Sequence, residues 1–164
     1  RAVVVNPAHY EAGEERAYFN ALQEACRWLR ENTPPDAAIL DKPSTRDGTE
    51  LFALAQRGVV ASLPAVQTAG IAHHEALARA AGTLHAELSR YQLRVESLRA
   101  LLEQPVPWPR TQYALAINGG GRDLAALEAL WSASRGVVTP VLANEFFVVY
   151  ALDMQKARAV TGME

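Results

Sequence analysis

The chain has 164 residues and a formal net charge of -2, from 16 basic and 18 acidic residues. Hydrophobic residues make up 49% and charged residues 21%, which fits one folded domain with a real core and excludes a disordered tail. The charge balance supplies neither the basic face that nucleic acid requires nor a polybasic membrane patch, and no run of about 18 apolar residues forms a transmembrane span.

Cys26 is the only cysteine, so no internal disulfide forms. It sits in an apolar helical pattern with no base beside it and reads as a small buried hydrophobe. No signal peptide is recognisable, and the chain begins at Arg1 rather than methionine, which reads as a piece of a longer polypeptide. Ala2 to Val5 form a β-branched run closed by Asn6-Pro7, an edge strand or an extended lead-in, and the lead-in continues through a polar loop to Gly13.

Glu14 to Asn32 is the first strong helix, with Tyr18, Leu22, Ala25 and Leu29 on one stripe. Glu14 and Glu15 at its start and Arg27 and Arg30 near its end suit the helix dipole, and Thr33-Pro34-Pro35 stops it. Trp28 is a core or rim anchor. Ala37 to Leu40 reads as a short buried strand, Asp41 to Gly48 as a polar loop, and Thr49 as the cap of a helix over Glu50 to Gln56 that ends at Arg57-Gly58. Val59 to Ser62 is the next strand.

Beyond an irregular connection around Pro64, helical periodicity runs from Ala72 to Glu103 through Leu77, Leu84, Leu88, Tyr91, Val95, Leu98 and Leu102. Gly82 either breaks this region in two or only weakens it. After the proline-punctuated 104–110 segment, Tyr113 to Ile117 is a strand and Leu124 to Ala133 a helix capped by Asp123. Val137 to Leu142 is a strand whose Pro140 marks an edge or a bulge. Ala143-Asn144-Glu145 makes a turn, Phe146 to Leu152 completes an antiparallel hairpin, and the polar 153–164 segment reads as a tail open to disorder. Strands alternating with helices predict a single α/β domain with a mostly parallel, Rossmann-like sheet, helices on both faces, a C-terminal antiparallel hairpin and a long helical insertion.

Three places are candidates for chemistry. The Asn118-Gly119-Gly120-Gly121-Arg122 turn could present backbone N–H groups to a phosphate. Its spacing matches neither dinucleotide nor P-loop fingerprints, and its ordinary reading is a tight strand-to-helix turn. The loop carrying Lys42, Ser44, Thr45 and Arg46 follows a strand, at the sheet edge where open α/β folds bind ligands, and is otherwise a polar surface loop. His73, His74 and His85 lack the further ligands a zinc site needs and read as rim histidines. Tyr10, Trp108 and Tyr113 suit carbohydrate stacking, but nothing in the sequence gathers them. No nucleophile–base order, paired-carboxylate signature or complete cofactor fingerprint stands out, and no catalytic residue, metal or cofactor is expected.

Two blocks carry a family resemblance. ACRWLRENTPPDAAIL followed by LFALAQRGVVAS, and YALAI with VVTPVLANEFFVVYAL, resemble the segment that follows the last transmembrane helices in many bacterial polytopic membrane proteins of the GT-C glycosyltransferase type and their relatives. The resemblance implies an extracytoplasmic soluble domain, periplasmic or on the cell-surface side, tethered to the inner or cytoplasmic membrane through a membrane-embedded part of the same polypeptide that holds the catalytic acidic residues. Its implied partners are that membrane part and a carbohydrate or lipid-linked sugar, and its implied role is noncatalytic, shaping acceptor binding or protein contacts. Two alternatives stand beside it: a soluble α/β enzyme binding a nucleotide or sugar phosphate through Gly119 to Gly121 and the Lys42 to Arg46 loop, and an interaction module that docks through the Ala72 to Glu103 helical region.

Overall fold

A computed structural model of the chain describes residues 12–41, 51–60, 72–119 and 123–163. The Ala2 to Val5 run lies outside them. Helix α1, Ala12–Asn32, begins before Glu14. Its stripe is buried at Leu22, Ala25, Cys26 and Leu29, and the Thr33 hydroxyl donates back to Leu29 O at 2.6 Å as the helix ends. Strand β1, Ala38–Ile39, follows. A π-helical turn, Leu51–Ala55, stands in place of the expected α-helix and leads into β2, Gly58–Val59. β1 and β2 pair in parallel.

The long helical region is two helices, and the break is not at glycine. Helix α2, Ala72–Ser89, passes straight through an exposed Gly82, and α3, Val95–Leu102, follows a turn. Tyr91 makes that turn. Its φ is +59°, its N–H donates to Leu88 O, and the N–H of Gln92 donates to Glu87 O. This is a Schellman ending with tyrosine where glycine is usual. Helix α4, Leu124–Ala133, ends the same way at Arg135, φ +56°, with Gly136 N–H on Trp131 O.

Strand β3, Thr111–Ile117, leads through α4 to β4, Val138–Ala143, and on to β5, Phe147–Asp153. The sheet order is β3-β5-β4, and β5 is antiparallel to both neighbours. This corrects the expected mostly parallel, Rossmann-like sheet: the described residues form one two-stranded parallel sheet and one three-stranded antiparallel sheet. The physical reason lies in β5. The crossover through α4 does return β4 parallel to β3, but the hairpin folds β5 into the gap between them, a split βαβ arrangement. An isolated parallel bridge joins the two sheets, with Leu40 N–H on Tyr113 O at 3.0 Å and Leu115 N–H on Leu40 O at 2.8 Å. Pro140 sits on the edge strand β4, and the register shifts between Pro140 and Leu142.

Side chains of β3 and β5 alternate between two cores, as strand geometry requires. Leu115, Phe147 and Val149 face α1 and the π-helical turn. Ala114, Ala116, Val148, Tyr150 and Leu152 face Leu84 and Leu88 of α2, Leu98 and Leu101 of α3, and Leu127 and Leu130 of α4. The same core takes in Met154 and Ala157 of helix α5, Met154–Thr161. That helix replaces the disorder expected of the polar tail. Asp153 caps it by accepting from Gln155 N and Lys156 N, Gly162 at φ +72° closes it, and Arg99 of α3 donates to Thr161 O at 3.3 Å.

Candidate functional site

The end of β3 is where the sequence places its phosphate-binding candidate, and the structure puts a junction of three elements there. The Nδ2 group of Asn118 donates to Asn144 O at 2.8 Å, its Oδ1 accepts from the Tyr91 hydroxyl, and its N–H donates to Phe146 O at 2.7 Å. Gly119 N–H donates to Ser89 O at 2.9 Å, and a Cβ at Gly119 would lie 2.9 Å from Ser89 Oγ and 3.0 Å from Ser89 O. The glycine is needed here for close approach to the end of α2. Asp123 caps α4, accepting from Ala126 N at 3.1 Å. Gly120, Gly121 and Arg122 lie outside the described residues, as do Lys42, Ser44, Thr45 and Arg46. Of the nine candidate ligand residues, Asn118 and Gly119 are therefore the two placed, and both hold neighbouring backbone.

The junction continues across the sheet. Asn144 Oδ1 accepts from Phe146 N and Phe147 N at 3.1 and 2.9 Å, forming an Asx turn at the hairpin. Its Nδ2 donates to Ala21 O of α1 at 2.9 Å and to Glu24 Oε1 at 3.2 Å. A path of hydrogen bonds thus runs from Tyr91, in the turn after α2 on one face, through Asn118 and Asn144, to α1 on the other.

A second buried polar centre closes the C-terminal end of α1. The Arg57 guanidinium is buried and spends all five of its N–H groups. It donates to Thr33 Oγ1 at 2.8 Å, to Ala55 O at 3.3 Å, to Gln56 O at 2.9 Å, to Arg30 O at 2.9 Å and to Thr33 O at 2.8 Å. A fixed cation over the carbonyl end of α1 also complements the helix dipole. In the sequence alone Arg57 reads only as a helix stop. The Arg-Gly pair was visible, but its partner Thr33 lies 24 residues away.

Below the start of β3 lies a cleft of about 410 Å³, lined by Pro34, Asp36, Val59, Val106, Pro109 and Tyr113 among others. Tyr113 stacks obliquely on Trp28 with ring centroids 5.9 Å apart, so the fold gathers two aromatics that the sequence left apart. Gln112 at the same cleft donates to Ala38 O and Tyr113 O at 2.8 and 3.0 Å. His85 is buried rather than at a rim, and the side chains of His73 and His74 lie outside the described residues. Among the described residues no cluster of histidine, cysteine and acidic side chains could hold a metal ion, and no helix is long and apolar enough to cross a membrane. Burial pushes the Tyr150 hydroxyl well above its ordinary range, with the neighbouring Tyr91 adding to the effect; it donates to Leu88 O at 2.8 Å.

Comparison with protein-family models, with curated proteins and with solved structures found no match to this chain.

Proposed function

We propose that this chain is a noncatalytic extracytoplasmic domain of a bacterial membrane protein of the GT-C glycosyltransferase type, and that it shapes acceptor binding or protein contacts for a membrane-embedded part of the same polypeptide. The observation that carries the reading is how the placed polar side chains are spent. Asn118, Asp123, Asn144, Asp153, Gln112 and Arg57 hold main-chain groups of neighbouring or following residues, an arrangement that secures a platform rather than activating a substrate.

The two blocks that resemble the family add support, because they meet in space. The last turns of α1, with β1 and β2, come from the first, and β3, β4 and β5 overlap the second. Both supply the cleft beside Tyr113, through Pro34 and Val59 from one and Tyr113 from the other. An aromatic face with a neighbouring Asp36 carboxylate suits an acceptor sugar, which offers a C–H face and hydroxyl donors. The test is transfer activity of the full-length protein bearing Tyr113→Ala. The expected result is a raised acceptor KM, by about tenfold for the loss of roughly 1.4 kcal/mol of contact, with donor KM unchanged. Unchanged acceptor KM on that substitution, and unchanged activity on deleting the domain, would contradict the acceptor role.

A further inference from the structure

Helix α2 turns a self-complementary face outward, and we infer that this face pairs with the same helix of a second copy of the chain. The face borders a groove of about 820 Å³. Gly82 and Ala86 are exposed on it, and beyond the Cα of Gly82 there is open space. Small residues one turn apart allow a second backbone to come close. Among the described residues, the charges of Glu75, Arg79 and Arg90 around them make no ion pair.

Glu87 supplies the most specific sign. Its Oε1 accepts from Arg94 Nε at 3.0 Å and from Ser97 Oγ at 2.8 Å. Its Oε2 is buried with no hydrogen-bond partner, and the residue lines the groove. A carboxylate oxygen held without a donor is costly, and a rotation of the side chain toward the groove brings it to a donor on the second copy.

The order of charges then selects the occupant. A two-fold axis crossing α2 at Gly82–Thr83 makes the helices antiparallel, so positions equally far on either side of the axis face each other. Counted from that midpoint, Glu75 and Arg90, the residue just past the helix end, lie 7.5 positions to either side, and Arg79 and Glu87 lie 3.5 and 4.5 positions to either side, within one residue of exact register. Arg79 of one copy therefore comes close to Glu87 of the other and Glu75 level with Arg90, each pair twice. A parallel pairing would set like charges opposite one another. One helix face of about four turns lies at the small end of specific interfaces, so the dimer is a reversible one with Kd on the order of 10–100 µM.

Sedimentation velocity over a concentration series from about 1 to about 500 µM tests this. The expected result is a monomer–dimer equilibrium weakened at least tenfold by Gly82→Leu, a change the open space accommodates and whose intact fold is checked by an unfolding temperature equal to or above that of the parent. Glu75→Arg and Arg90→Glu should each weaken the dimer, and the double variant should restore it. A monomer throughout the series, a dimer indifferent to Gly82→Leu, or a double variant no stronger than the single ones would overturn the inference.

Discussion

At the scale of single residues, three side chains do unusual work. Arg57 is a buried cation held entirely by neutral acceptors, four of them main-chain carbonyls. Arg57→Ala leaves the end of α1 without donors and should cost roughly 3 kcal/mol in urea unfolding. Arg57→Lys should recover little of that, because an ammonium has three donors where the site uses a planar fork of five. Tyr150 makes stability depend on alkaline pH. Its hydroxyl titrates higher folded than unfolded, so its contribution is complete below about pH 10, where the unfolded tyrosine begins to ionise, and falls as pH rises further. Thermal unfolding of Tyr150→Phe should show a shallower decline above pH 10 than the parent, from a lower starting stability. Arg135, exposed at φ +56°, holds a left-handed conformation that costs a non-glycine residue about 1 kcal/mol. Arg135→Gly should raise the unfolding temperature by several degrees. Tyr91→Gly at the equivalent turn should instead lower it, since the buried ring and its bond to Asn118 are lost.

At the scale of elements, β5 decides the architecture. It is buried along most of its length, and it separates two strands that the alternation of helices and strands places side by side. The hairpin itself was readable, because Val137 to Leu142, the Asn144 turn and Phe146 to Leu152 are adjacent in sequence. Where the hairpin inserts was not readable, since apolar runs specify burial and not neighbour order. Helix α5 was hidden for a related reason. Its inward residues, Met154, Ala157 and Thr161, are few and interrupted by charge, and the helix depends on docking against α3. Asn144 ties the hairpin to α1 across more than a hundred residues. Asn144→Ala removes the Asx turn and the bonds to Ala21 and Glu24 together, and should destabilise the fold by about 2 kcal/mol in chemical denaturation.

At the scale of the molecule, the described residues form a sheet layer with helices packed on each face, and their polar groups fasten those layers. The candidate turn at Asn118 was legible as a strand end before a helix. Its role as a fastener was not, because Tyr91, Ser89 and Asn144 reach it only after folding. A domain fastened in this way suits the proposed platform carried on a larger body. The most direct measurement is the coding sequence upstream of Arg1. Several hydrophobic segments of about 20 residues, enough to cross a bilayer, are expected there. A start codon close to Arg1 with no such segments would contradict that proposal.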